Sequence, residues 1–451
     1  MVSYLDALRW LRSLPDFERT GEFAERPDVA PVRALLGAVG DPHLGRATVH
    51  IAGSKGKGST AVMAEAILRA AGLRTGCYIS PHLHRWNERI RIDGAPVSRE
   101  TFADALARVR EAMPGVEAAF PGRAFVAFDA LTVAAFVAFA AAEADAQVVE
   151  VGLGGALDST NVFDATDVVA LTPISLEHTQ ILGDTIGAIA AQKAGIITPG
   201  AAVVVAPQRE SALDVFRAVA SERGARIIEV AGVCQLTRTS ANGEGQEFRL
   251  RTPRGEYRAR LPLIGRHQLD NAAAAIVACE ELAAARGLEV TADQVRTGLA
   301  GVAWPGRIEV LSRRPLVIID GAHNGDSAKR LIAALREHLG LGRATLLFGT
   351  LAGKDIDAMA EATAPFADAV FVSGWASARA ADARAGAEAF RRAGAEATAM
   401  ADLPQAYEAA AAYAGERGAV VGFGAISFVA QLREYLLGIE SDMILLASAR
   451  E

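Results

Sequence analysis

The sequence predicts an α/β protein with two parallel sheets, each covered by helices on both faces. Short, continuous apolar runs alternate with longer helical stretches almost throughout, the pattern of buried parallel strands joined by crossover helices. One stretch, "GVAWPGR" (301–307), breaks the alternation with proline and glycine and reads as a hinge. The chain has 451 residues, enough for two or three domains with real cores.

In the first part "ATVHIA" (47–52), "QVVEV" (147–151), "DVVALT" (167–172) and "AAVVVA" (201–206) read as strands. Helices are expected between them near 60–71, 127–143 and 185–196. Residues 246–263 alternate with period two around "PRG", which predicts an antiparallel hairpin. Helices at 271–287 and 291–300 follow. Beyond the hinge the alternation restarts with "PLVIID" (315–320), a helix near 326–339, "ATLLFGT" (344–350) and a helix near 355–364. "AVFVSG" (369–374), more helix, "GAVVGFG" (418–424) and a final helix complete a second, smaller α/β domain. The expected division is 1–300 and 301–451.

Apolar residues make up 51% and charged ones 22% of the chain, and the net charge is −7. That balance argues against a general nucleic-acid binder while leaving room for local basic pockets. Cys77, Cys234 and Cys279 lie far apart with no C-x-x-C pair, which fits a reducing compartment and neither a disulfide framework nor structural zinc. The N-terminal "MVSYLDALRWLRSLPDFER" has no signal-peptide core. The run 124–142 imitates a membrane span but contains Asp129 and leads straight into a strand and a glycine-rich turn. A helix buried in a large core is the better reading. The expectation is a cytoplasmic protein without membrane contact.

"GSKGKGST" (53–60) joins a strand to a helix. Such a junction aims several backbone N–H groups and the helix dipole at one point. Gly53, Gly56 and Gly58 let the chain approach a ligand closely. Lys57 supplies positive charge for phosphate oxygens, and Ser59 or Thr60 a hydroxyl for Mg²⁺. The spacing is shorter than G-x-x-x-x-G-K-[ST], so the strand and helix on either side favour a nucleotide over a bare surface turn. Glu150 ends a strand beside "VGLGG", where parallel sheets bind ligands, and its carboxylate suits Mg²⁺. His178, in "LTPISLEHTQILG" (171–183), falls at the same sheet edge. Lys193, by pattern alone, is a solvated lysine near a helix C-terminus. "DGAHN" (320–324) repeats the logic after the hinge: Asp320 and His323 would face a ligand across the interdomain cleft, and Arg307 would reach phosphates from the hinge.

The segments "HIAGSKGKGST", "ISPHLHRWNERIRIDG", "VEVGLGGALDSTNVF", "ISLEHTQILGDTIGAIAAQKAGIITPG", "GRHQLDNAAAAI", "WPGRIEVL", "IIDGAHN" and "LFGTLAGKDI" occur in this order. Together they resemble the folylpolyglutamate synthase/dihydrofolate synthase family, a branch of the Mur ligases, over nearly the whole chain. The resemblance implies a phosphate-loop ATPase-like N-terminal domain, preceded by a pterin- or folate-contacting segment, and a Rossmann-like glutamate-ligase domain. It implies an ATP-dependent amide ligase: a folate or dihydropteroate carboxylate takes the γ-phosphate of ATP, and L-glutamate displaces phosphate from the acyl phosphate. By the family pattern Ser59, Ser80, Glu150 and His178 hold magnesium, with two ions expected, and Lys193 matches a lysine that is carbamylated. Lys57, Lys193, Asp320 and His323 take the catalytic positions. Gly53, Gly56, Lys57, Gly58, Ser59, Thr60, Asn271, Arg307 and Asp320 contact ATP, with His323 steadying the acyl phosphate or the nucleotide. Val126, Ala127, Phe128, Asp129, Leu157, Asp158 and Ser159 fall where the family binds pterin.

The chain departs from that pattern at Glu177, where aspartate is usual, at Ala156 in place of arginine, at Gly325 after "DGAHN", and at "GFGAISF" (422–428) in place of "TGS". "FAERPDVAPVRAL" (23–35) matches the pterin-contacting helix poorly. Two other functions compete. A Mur-type ligase acting on another carboxylate is one; those that act on UDP-linked peptides usually carry a nucleotide-sugar domain before the phosphate loop, and 52 residues precede Gly53. A non-catalytic nucleotide-binding regulator is the other. Retention of Lys57, Glu150, His178, Lys193, Asp320 and His323 together speaks for catalysis. The expected partners are small molecules only, and the expected state is a monomer.

Overall fold

The computed structural model describes residues 2–21 and 28–448; residues 23–27 of "FAERPDVAPVRAL" lie outside that range. A large sheet is built from β1 (Ala47–Ala52), β2 (Thr75–Tyr78), β3 (Ile90–Ile92), β4 (Ala95–Pro96), β5 (Ala146–Glu150), β6 (Val168–Leu171), β7 (Ala202–Val205) and β8 (Arg226–Glu229). Their order is β4-β3-β2-β5-β1-β6-β7-β8. From β2 to β8 the strands pair in parallel, and β3 and β4 close one edge antiparallel. β1, β5, β6 and β7 are buried along their whole length, which is why each reads as an unbroken apolar run. β2, "TGCY", escapes such a reading. Its Gly76 instead makes room for a ring, since a Cβ there would come 2.5 Å from Phe139.

The helix Ala127–Ala141 is the apolar run that imitates a membrane span. It is buried along almost its whole length, and no helix among the described residues is long and apolar enough to cross a membrane. Its opposite layer holds the helices Lys57–Ala70 and His267–Arg286, which share one core with the sheet. β9 (Gln235–Asn242), β10 (Gly245–Arg251) and β11 (Glu256–Leu261) form a small antiparallel sheet with Phe248, Leu250, Tyr257 and Leu261 in that same core. The expected hairpin is β10–β11, with Gln246 opposite Leu261. β9 adds a third strand that the sequence hides, because it is largely open to solvent.

β12 (Glu309–Arg313), β13 (Leu316–Asp320), β14 (Ala344–Gly349), β15 (Ala367–Ser373), β16 (Ala397–Met400) and β17 (Ala419–Gly424) make the third sheet, in the order β12-β13-β17-β14-β15-β16. All but β12 run parallel. After this sheet the chain turns back. In the helix Asp442–Ser448, Leu446 joins the core of Leu8 and Leu11 from the N-terminal helix Tyr4–Ser13. Tyr4 Oη donates to Asp442 Oδ2 at 2.7 Å there.

Candidate active-site cleft

The ends of β1, β5, β6 and β13 open on one cavity of about 2540 Å³. On its floor, the helix Lys57–Ala70 starts at Gly56, which is left-handed with φ 88°. The helix therefore begins three residues before its expected start at 60, and Lys57 stands in the first turn, at the positive end of the dipole. The loop is clamped on several sides. A Cβ at Gly53 would lie 1.8 Å from Thr172 Oγ1, one at Gly56 2.3 Å from Asn271 Oδ1, and one at Gly58 2.7 Å from Trp304 Cζ2. Ser54 N and Lys55 N donate to Pro173 O at 3.0 and 3.1 Å. Of the two hydroxyls, Ser59 borders the cavity, while Thr60 is wholly buried and its Oγ1 has no hydrogen-bond partner.

Glu150, at the end of β5, is buried and accepts from Ser80 N at 3.1 Å. Burial raises its pKa, and Lys57 acts against that rise. His178 is left-handed at φ 47° and borders the same cavity. Desolvation takes its imidazole down to about 4, against the pull of Glu177, so the ring is neutral at neutral pH. Among the described residues no group of three or more His, Cys, Asp or Glu side chains forms a metal cage. Separately, the cavity wall offers the Glu150 carboxylate, the hydroxyls of Ser59 and Ser80 and the imidazole of His178.

Lys193 is not the solvated lysine that its place near a helix end suggests. It is buried, and its Nζ donates to Glu177 Oε1 at 3.2 Å. Lys55 Nζ approaches the other oxygen of Glu177 at 3.9 Å. Burial pulls both amines down to about 8. Burial also acts to raise the pKa of Glu177, but Lys193, Lys57 and Lys55 together hold it below the ordinary glutamate value.

The third sheet faces this wall with Asp320, His323 and Arg307, all on the cavity. Asp320 Oδ2 accepts from Ile308 N at 2.9 Å, and burial lifts its pKa to about 6 despite Arg307. His323 Nδ1 donates to Gly321 O at 2.9 Å, which leaves Nε2 without a proton; burial takes the ring down to about 3. Asn271 borders the cavity with its Nδ2 donating to Gln268 Oε1 at 2.9 Å.

A third wall carries the remaining expected residues. Val126, Phe128, Asp129, Leu157, Asp158 and Ser159 border the cavity, whereas Ala127 is buried away from it. Phe128 lies over Gly152, where a Cβ would come within 2.5 Å of the ring, and beside Tyr78 at 5.8 Å between centroids. Asp129 caps its own helix by accepting from Val126 N at 3.0 Å, and it accepts from Ser159 Oγ at 2.6 Å. Next to this wall is a group with no signal in residue spacing. Arg89, 1% exposed, grips Glu18 with both terminal nitrogens, donates to His82 Nδ1 at 2.8 Å and covers the Trp86 ring at 4.7 Å.

Residues 100–279 match the Mur ligase middle domain, and residues 306–426 match the Mur ligase glutamate ligase domain. The folylpolyglutamate synthase of Lacticaseibacillus casei is 35% identical over 362 residues, which are 80% of this chain and 82% of that protein. The chain belongs to the folylpolyglutamate synthase/dihydrofolate synthase family of Mur ligases. The dihydrofolate synthase/folylpolyglutamate synthase of Bacillus subtilis (strain 168) is 32% identical over 374 residues, 82% of this chain and 84% of its own. The solved folylpolyglutamate synthase of Mycobacterium tuberculosis, complexed with ADP and AMPPCP, superposes with a TM-score of 0.88 at 32% identity, covering 98% of this chain and 100% of that one. Escherichia coli FolC in complex with DHPP and ADP superposes at 0.83 and 28% identity, with 96% and 98% covered. The large parallel-rich sheet followed by a second α/β sheet is the architecture of folylpolyglutamate synthases, and membership of this family makes the chain an ATP-dependent ligase.

Proposed function

We propose that this ligase joins L-glutamate to a folate or dihydropteroate carboxylate. The carboxylate oxygen attacks the γ-phosphorus of ATP and ADP leaves. The glutamate amine then attacks the acyl carbon and phosphate leaves. The observation that carries the reading is the meeting of three unlike walls on one cavity. One is a cationic, glycine-clamped loop at a helix start, the second a charged strand end beyond the hinge, and the third an aromatic and carboxylate wall suited to a flat heterocycle.

Phosphoryl transfer needs alignment and charge neutralisation more than covalent help from the protein. Lys57 and the N–H groups of the loop would hold the β- and γ-phosphates, with Arg307 facing them. Glu150, Ser59, Ser80 and the neutral His178 fit Mg²⁺, because oxygen donors with one imidazole suit a hard cation; two ions are proposed. Bound there, Mg²⁺ neutralises charge on the transferring oxygens. His323 presents a bare Nε2, an acceptor, so it suits a hydroxyl of the nucleotide rather than a phosphate oxygen. Asn271 and Asp320 would complete the ATP contacts. Val126, Phe128, Asp129, Leu157, Asp158 and Ser159 would take the pterin. Lys193, with its amine near 8, suits carbamylation, which requires the neutral amine. The chain would work as two domains, 1–300 and 301–451, closing about 301–307 so that water is kept from the acyl phosphate. The same reading has it act as a monomer in the cytoplasm.

An ADP-release assay with glutamate and either dihydropteroate or tetrahydrofolate tests this. ADP release that needs both glutamate and one of the two pterin compounds is expected. Release indifferent to both sinks the reading.

A further inference from the structure

His50 stands near the end of β1, fully buried, and has no part in the chemistry above. Its Nε2 lies 2.9 Å from Thr160 Oγ1. The Thr160 hydroxyl donates to Asp158 Oδ1 at 2.6 Å. A hydroxyl has one proton to give, so toward His50 it must accept. His50 is therefore the tautomer with its proton on Nε2, and the direction of each bond in the row His50, Thr160, Asp158 is fixed. Thr160 N also donates to Asp158 Oδ1 at 3.0 Å, and Leu153 N donates to Oδ2 at 2.9 Å. A carboxylate that borders the cavity beside Phe128 and Gly152 is thus held on both oxygens, with its shortest bond anchored in the central strand of the large sheet.

We propose that His50 and Thr160 are positioning residues that aim the Asp158 carboxylate at the N–H groups of a pterin ring lying on Phe128. The proposal rests on the ligase reading above and extends it to residues outside the cavity. An ionised carboxylate only accepts hydrogen bonds. Its partner in the cavity must therefore be a hydrogen-bond donor, and the aminopyrimidinone half of a pterin resting on Phe128 supplies N–H donors along one edge. A carboxylate free to rotate would meet that edge in many orientations and lose the geometric advantage of a fixed one. Thr160 ties the loop 153–160 to β1, the strand that leads into the phosphate loop. The pterin wall is thereby registered to the strand that places Lys57, though His50 and Thr160 touch neither ligand.

Wild-type protein is assayed first; if its ADP release does not depend on pterin and glutamate, the ligase reading fails and not this proposal alone. With that dependence in hand, Thr160→Val is compared with Thr160→Ser. Losing a hydrogen bond to a charged group is expected to raise KM for dihydropteroate about tenfold while KM for ATP stays within about twofold. Thr160→Ser, which keeps the hydroxyl, should recover most of the difference. An equal rise in both KM values, an unchanged KM for dihydropteroate, or serine behaving like valine overturns the proposal. Should Thr160→Val fail to fold, His50→Leu against His50→Gln gives the same comparison, since glutamine keeps a donor near the place of Nε2. If neither Thr160→Val nor His50→Leu folds, the row serves stability alone and the proposal is wrong.

Discussion

Lys193 and Lys55 hold opposite oxygens of one carboxylate, Glu177, at 3.2 and 3.9 Å. The two amines lie 138 positions apart in the chain, Lys55 in the glycine-rich loop after β1 and Lys193 in the last turn of the helix Ile186–Ala194. Each has a pKa of about 8. At pH 7 roughly a tenth of such an amine is neutral, against well under a thousandth for an ordinary lysine. That difference is what a reaction with carbon dioxide requires.

Replacing Lys193 with alanine should therefore remove most turnover, and a small carboxylate such as acetate should restore part of it. Intact-protein mass or electron density should show added carbon dioxide on the parent lysine. Full activity of Lys193→Ala would reduce the residue to a partner for Glu177.

Lys57→Ala removes the charge in the first turn of the helix Lys57–Ala70. A preorganised charge of this kind is worth about 10²–10³ in kcat or more. The drop should appear in kcat/KM with the fold intact by circular dichroism. A variant with near-normal kcat would remove the loop from phosphoryl transfer.

The charges beyond the hinge should behave differently from those of the loop. Asp320→Ala or His323→Ala is expected to cut ligation far more than it weakens ATP binding, because ATP would rest mainly on residues 53–60. Calorimetric ATP binding measured beside ligation kinetics separates the two quantities. A fall by the same factor in both would make these residues plain nucleotide contacts and leave no role for closure. Asp320→Ala also strips Ile308 N of its acceptor, a loss of about 1–3 kcal/mol of stability.

Acid should destabilise the fold before it denatures carboxylate pairs. His50, His267 and His323 sit at about 3, 4 and 3 when folded, against 6.5 ordinarily. Below 6.5 the unfolded chain takes up protons that the folded chain refuses, so their contribution is complete above 6.5 and is lost as pH falls. Asp320, raised to about 6 from 3.8, opposes them between those two values. Glu150, Asp129 and Asp158, which burial also raises, oppose them too, while His178, taken down to about 4, adds to the histidines. The urea midpoint should thus be lower at pH 5 than at pH 7. An equal or higher midpoint at pH 5 contradicts this.

The parallel strands β1, β5, β6, β7, β13, β14, β15 and β17 were legible because burial writes itself as a continuous apolar run, and "GSKGKGST" because glycines between a strand and a helix have few other uses. The parallel edge strands β8 and β16, partly exposed, carry no such run and were not legible. β2 was hidden by Gly76, whose purpose is to admit Phe139 and not to form a strand. β9 was hidden because its exposed face carries no apolar alternation. Lys193 illustrates the limit for sites. Its burial is set by the packing of the helix Ile186–Ala194 and by a glutamate 16 residues earlier, and neither is visible in local composition. His50 is harder still. Read in the sequence it is a polar residue inside a strand, and its meaning appears only when Thr160, 110 positions away, closes on its ring.

Trp304 presses against Gly58 in the glycine-rich loop 53–60 and is followed directly by Pro305 of the proposed hinge. Indole emission changes colour and intensity with neighbouring charge and with access to water. The protein thus carries an intrinsic optical reporter at the junction of the two parts proposed to close on each other. Trp86 and Trp375 also border the cavity, so phenylalanine at those two positions would leave Trp304 as the cavity's sole emitter. Stopped-flow mixing could then time the arrival of nucleotide and the closing of the cleft in one trace, without attaching a dye.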